Sequence, residues 1–102
     1  MKLSIIIPVY NEAPTIAEIL KKVNTQKKNF EVEIIISDDF STDMTRPLLS
    51  NHKNFYDKIF LSEKNCGKGA AIKAVQNMAS GDIVIIQDAD LEYDPNDYLA
   101  LV

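Results

Sequence analysis

Asp88-Ala89-Asp90 follows the apolar run Ile83-Val84-Ile85-Ile86-Gln87. Side chains on a strand alternate faces, so residues two apart point the same way. If the run is a strand, its end presents two carboxylates side by side. Such charges repel unless something positive lies between them. A hard divalent ion such as magnesium takes carboxylate oxygens and keeps open positions for phosphate oxygens. Alone, the tripeptide also reads as an ordinary turn or cap after a strand.

Other polar clusters bear on the choice. Gly67-Lys68-Gly69-Ala70-Ala71 opens a helical pattern. Its glycines let backbone amides approach a phosphate, and Lys68 adds a positive charge. It is not a P-loop, and Ile72 stands where a dinucleotide fingerprint needs its third glycine. It reads equally as a phosphate or ribose contact and as a flexible turn. In Asp38-Asp39-Phe40-Ser41-Thr42-Asp43, the two adjacent Asp at a strand end point to opposite sides. At most one faces a ligand; the other hydrogen-bonds a neighbouring loop. Cys66 is the only cysteine, which excludes an intramolecular disulfide, and the single His52 reads as a surface residue rather than its catalytic partner.

Alternating strand and helix patterns position these clusters. Leu3 to Val9 is continuously apolar and β-branched, as in a strand buried on both faces. Ile16, Ile19, Leu20 and Val23 follow at helical spacing, with Asn11 as the expected N-cap and Pro14 in the first turn. Val32 to Ser37 reads as a second strand, and a short helix starts near Thr45. Lys58 to Leu61 is a third strand. Gly69 to Ala79 is a helix with Ala71, Ile72, Val75, Met78 and Ala79 on one face, ended by Gly81. Asp82 to Gln87 is the fourth strand. Asp94-Pro95-Asn96-Asp97 reads as a helix start, with structural roles for Asp94 and Asp97. Repeated strand-helix-strand units imply α/β architecture, a Rossmann-like, mostly parallel sheet with helices on both faces. Ligands of such sheets bind beyond the carboxyl ends of the strands. Four polar clusters fall there, which favours a site: Pro8 to Glu12 after the first strand, Asp38-Asp39 after the second, Asn65 to Gly69 after the third and Asp88 to Glu92 after the fourth.

The 102 residues suffice for one modest domain. A net charge of -4 gives no basic footprint for nucleic acid. An acidic protein that handles phosphates offsets their charge locally, with a metal, a few lysines or helix N-termini. No signal peptide precedes the first strand, and no apolar run reaches the roughly 18 residues of a membrane span. These features suggest a soluble, cytoplasmic type. The closing Asp97-Tyr98-Leu99-Ala100-Leu101-Val102 reads as a helix under way, so a longer protein is expected.

Four stretches together resemble the family 2 glycosyltransferases of the GT-A fold: Ser4-Ile5-Ile6-Ile7-Pro8-Val9-Tyr10-Asn11-Glu12, Glu33 to Asp43, Asn65 to Ala71, and Gln87 to Pro95. They come in the family's order and spacing. The nearest flavour is the dolichyl- or undecaprenyl-phosphate sugar transferases. The resemblance implies that residues 1–102 are the N-terminal nucleotide-sugar-binding part of a glycosyltransferase domain whose acceptor half follows. It implies a nucleotide-diphosphate sugar donor, inverting transfer, and a divalent metal, Mg2+ or Mn2+. Carried over by position, Pro8, Tyr10 and Glu12 line the base and ribose pocket. Asp39 accepts from the ring N–H of the base, Lys68 lies near the donor, and Ala89 packs by the ribose. Asp88 and Asp90 hold the metal. Glu92, where polyprenyl-phosphate relatives often carry Gln, is a further candidate metal ligand. Phe40 stands where the family usually has Gly or Asn, and Met44 where it has Gly.

The expected activity is sugar transfer to an acceptor such as a polyprenyl phosphate or a glycan, at the cytoplasmic face of a membrane if the acceptor is a lipid. The family supplies any catalytic base from beyond Val102, so no catalytic residue is named here, and these 102 residues alone should turn over little. The alternative is a non-catalytic nucleotide-sugar-binding module. An intact Asp88-Ala89-Asp90 favours the enzyme, because a dead site has no need of a metal.

Overall fold

The computed structural model describes residues 1–90 and 94–97. Four strands form one parallel sheet: β1 (Lys2–Val9), β2 (Glu31–Asp38), β3 (Lys58–Leu61) and β4 (Ile83–Ile86), in the order β3-β2-β1-β4. Pairing of β1 with β2 runs from Lys2 opposite Glu31 to Val9 opposite Asp38. β4 flanks the other side of β1, with Leu3 opposite Ile83. Because every pair is parallel, all four carboxyl ends reach one rim.

Helices α1 (Ile16–Asn24) and α2 (Thr45–Asn51) cover one face, and α3 (Lys68–Val75) covers the other. The α1 stripe Ile16, Ile19, Leu20 and Val23 packs in one buried cluster with Leu3, Ile5, Ile7, Ile34 and Ile36. Val75 of α3 packs on Ile6 and Ile35. The central strands are therefore apolar on both faces, as their unbroken β-branched runs require. Ser37 Oγ fixes α3 to β2 by donating to the Ala71 carbonyl at 2.7 Å.

Four local expectations are corrected. Asn11 does not cap α1. The chain turns at Glu12–Thr15, with the Glu12 carbonyl accepting from Thr15 and Ile16 N–H, and Thr15 holds the N-cap position. Asn11 instead adopts a left-handed φ of 51°. The helix expected over 69–79 ends at Val75 and gives way to a 3-10 turn, Gln76–Met78. Gly81 is not its left-handed terminator. It lies against β1, where a Cβ would sit 2.7 Å from the Ser4 nitrogen and 2.9 Å from the Lys2 carbonyl oxygen. Strand β4 stops at Ile86, one residue short of the expected Gln87, and Asp88 and Asp90 sit in the loop and turn beyond it. The Asp94 carboxylate accepts from Asn96 N–H at 2.9 Å at the 3-10 turn Pro95–Asp97, as a capping residue does. The Asp97 side chain, Glu92 and residues 98–102 lie outside the described residues.

At the amino-terminal end of the sheet, away from the rim, Glu33 is buried and held by several donors. Ser4 Oγ donates to it at 2.9 Å, Ser80 N–H at 3.0 Å, and Lys58 Nζ lies 3.0 Å away. This cluster bolts the segment between α3 and β4 onto β1 and β2.

Candidate functional site

The rim carries a cleft of about 380 Å³, within the range of small-molecule sites. It is lined by Pro8, Val9, Tyr10, Glu12, Asp39, Lys68, Ala71, Asp88, Ala89 and Asp90. Of the candidate residues assigned from sequence, all that the structure describes line this one cleft. Glu92 cannot be placed.

Each wall has a local cause. Pro8 and Val9 end β1, and Tyr10 emerges 44% exposed as the chain leaves the sheet. The β1 ladder extends past the strand ends, as Asp39 N–H donates to the Val9 carbonyl and Gln87 N–H to the Ile6 carbonyl. These bonds deliver the second and fourth loops to the cleft at fixed height. The loop after β1 is laced to the loop after β2. Asn11 N–H donates to Ser41 Oγ, Thr42 N–H to Asn11 Oδ1, and Glu12 N–H to Thr45 Oγ1.

The adjacent aspartates part as expected. Asp38 is fully buried; it accepts from Ser41 N–H and Oγ–H and from Arg46 Nε at 2.7 Å. Asp39 faces the cleft. It does not wait there unpaired for a base: its two oxygens accept from Cys66 N–H at 2.8 Å and Gly67 N–H at 2.7 Å. A carboxylate has about four acceptor positions, so it can take a ligand N–H as well. Its first task is to fold the loop before α3 into place. Gly67, at a φ of 96°, supplies the left-handed residue that turns this loop into the helix.

Phe40 holds a φ of 65°, the conformation that Gly or Asn adopts with least strain. The departure from the family pattern leaves the loop backbone in that same left-handed form. The Arg46 guanidinium lies 5.6 Å from the Phe40 ring centroid.

Four carboxylates (Glu12, Asp39, Asp88, Asp90) and one ammonium (Lys68) line the cleft. Lys68 Nζ lies 2.5 Å from Asp88 Oδ1. A diphosphate entering this acidic site needs additional positive charge. The donor set suits a divalent ion: two carboxylates, one already against a cation, with space for phosphate oxygens and water. Among the described residues, no three His, Cys, Asp or Glu gather as a self-sufficient metal cage.

A parallel sheet with a polar cleft where its carboxyl ends converge is the arrangement of a GT-A nucleotide-sugar-binding fold. The model of glycosyl transferase family 2 matches residues 4–102, and the chain belongs to that family. It is 36% identical to the undecaprenyl-phosphate 4-deoxy-4-formamido-L-arabinose transferase of Proteus mirabilis, over 99% of this chain and 32% of that protein. The chain thus spans about a third of the length of this relative. A mannosyltransferase from Pyrobaculum calidifontis, solved with GDP-Man and Mn2+, superposes with a TM-score of 0.78 at 32% identity, over 96% of this chain and 30% of that one. S. aureus TarS residues 1–349, solved with UDP, superposes with a TM-score of 0.77 at 32% identity, over 88% and 28%.

Sequence reasoning missed Thr15, Asn11, Thr45 and Ser41 as builders of the site. The bonds that lace the rim, Asn11 to Ser41, Glu12 to Thr45 and Thr15 to Ala89, join residues 30 or more positions apart, and no local pattern marks such pairs.

Proposed function

We propose that this chain is the donor-binding part of a metal-dependent, inverting glycosyltransferase that moves a sugar from a nucleoside diphosphate to a polyprenyl phosphate. The observation that carries this reading is the cleft in which Asp88 and Asp90 face Tyr10, Glu12, Asp39 and Lys68. The lipid acceptor is supported by the name of the Proteus mirabilis relative. A divalent ion is supported by the donor set and by the Mn2+ in the Pyrobaculum calidifontis structure. The choice between Mg2+ and Mn2+ rests on the titration below.

In this reading, Tyr10, Pro8 and Asp39 hold the base, and Glu12 and the Ala89 region face the ribose. Asp88 and Asp90 hold the ion, which as a Lewis acid supplies charge stabilisation for the diphosphate leaving group. Lys68 adds a second positive charge beside Asp88. An ionised phosphate acceptor needs no strong base, and a hydroxyl acceptor would draw one from outside these residues. Residues 1–102 alone should bind donor weakly and transfer little. Among the described residues, no helix is long and apolar enough to cross a membrane. The proposed lipid acceptor would bring the whole protein to a membrane's cytoplasmic face.

A thermal-shift titration with UDP, GDP, CDP and dTDP, each with Mg2+, Mn2+ or neither, tests the proposal. Ligand at a hundred times its dissociation constant stabilises the folded state by about 2.7 kcal/mol. A metal-dependent shift for one nucleotide, lost in Asp90→Ala, is the expected result. A metal-independent shift that survives Asp90→Ala would instead favour the non-catalytic binding module.

A further inference from the structure

We infer that Thr15 is a positioning residue for the metal-binding aspartates, resting on the proposed metal role of Asp88 and Asp90. Thr15 occupies the N-cap position of α1, where a Thr hydroxyl ordinarily accepts from an amide of its own first turn. Here it makes no such bond. Its Oγ lies 2.5 Å from the Ala89 carbonyl oxygen, 74 residues away. The hydroxyl has one proton to give, and its next acceptors are longer, Glu12 Oε2 at 3.2 Å and the Glu12 carbonyl at 3.4 Å. The proton therefore goes to Ala89.

The position of that carbonyl matters. Ala89 is the middle of Asp88-Ala89-Asp90, and its side chain is buried in the main core at 3% exposure. The peptide after Ala89 is planar, so fixing its oxygen also fixes the Asp90 nitrogen and Cα, the atoms from which the Asp90 side chain departs. Ala89 is thus gripped from two sides, by the core through its methyl and by α1 through its carbonyl. Asp90 itself is exposed, and its backbone leaves directly from that gripped peptide. Thr15 also lies beside Glu12, another wall of the cleft, so one hydroxyl ties the loop after β1 to the loop after β4.

Groups that orient a metal ligand through one intervening bond typically change metal affinity about 10- to 100-fold when removed. The test uses the full-length protein with Thr15→Val, Thr15→Ala and Thr15→Ser. Mn2+ is titrated alone and with a fixed excess of UDP or GDP, and free Mn2+ is read by its EPR signal. Folding is followed separately by urea denaturation. Because the hydroxyl caps nothing, Val and Ala should leave α1 intact and lower Mn2+ affinity at least about tenfold. Ser, which keeps the hydroxyl, should restore it to within about twofold of the parent. Mn2+ affinity equal to the parent's in a folded Val or Ala variant overturns the inference. So does an equal loss in Ser. A parent protein that binds no Mn2+ under any of these conditions would instead overturn the metal-dependent reading itself.

Discussion

Glu33 should make the stability of this fold depend on pH in acid, through a site at the opposite end of the sheet from the cleft. Its side chain is 9% exposed. Burial pushes its carboxyl up. The Ser80 amide, the Lys58 ammonium and the Ser4 and Ser80 hydroxyls outweigh burial and hold it at about 2, against an ordinary value of 4.5. In the unfolded chain these donors are gone, so the unfolded state takes up the proton first as pH falls. The difference corresponds to about 3 kcal/mol. It is fully present above about pH 4.5 and fades as pH drops toward about 2, below which both states are protonated. Glu33→Gln keeps the shape and one acceptor oxygen but removes the charge. Lys58 loses little, because its side chain is 43% exposed and Nζ also donates to the Met78 carbonyl at 2.8 Å. We therefore expect a stability gap between the parent and Glu33→Gln of about 2–3 kcal/mol at pH 7. It should shrink toward zero by about pH 2. Urea denaturation at steps of pH measures this gap. Taking the difference between the two proteins cancels other carboxylates, including Asp43, whose slight burial pushes it up but whose bonds from Thr45 and Ala13 hold it below the usual range. A gap that stays constant from pH 7 to 2, or stays below about 0.5 kcal/mol throughout, would refute the assignment of that free energy to the Glu33 charge.

Two further outcomes follow from the rim. Lys68→Met removes the ammonium from Asp88; a pair this exposed is worth at most about 1 kcal/mol, so Mn2+ alone should bind as tightly as in the parent, or up to about fivefold more tightly. Nucleoside diphosphate binding should weaken in the same protein, so calorimetric titrations should show a loss for the nucleotide and none for Mn2+. Phe40→Asn relaxes a left-handed residue whose strain is about 1–2 kcal/mol and loses a ring contact with Arg46 of about 0.5 kcal/mol; the urea midpoint should rise, and a fall would show that the ring does more than the backbone suggests.

What could be read from the sequence was what recurs locally. Unbroken β-branched runs announced the central strands, buried on both faces, and all four strands were placed with ends off by no more than a residue; β1 begins at Lys2 rather than Leu3. The polar clusters after those runs announced the rim, because a parallel sheet sends all its carboxyl ends one way. What stayed hidden was joined across long stretches of chain. Gly81 reads as a helix terminator until β1 is seen lying against it, and Glu33 reads as one more strand residue until Ser4, Lys58 and Ser80 are seen around it. Asp39 shows how the two kinds of information meet. Its place after the second strand marks it for a ligand, and it does line the cleft. Yet the bonds that occupy it run to Cys66 and Gly67, residues that open the α3 loop. Replacing Asp39 would therefore remove a wall of the cleft and release the turn that carries Lys68 towards Asp88. A loss of donor binding in such a variant could not by itself be assigned to a lost contact with the base. Thr15 is the more informative probe. Its hydroxyl reaches the same site through one bond and leaves the folding of its own helix alone.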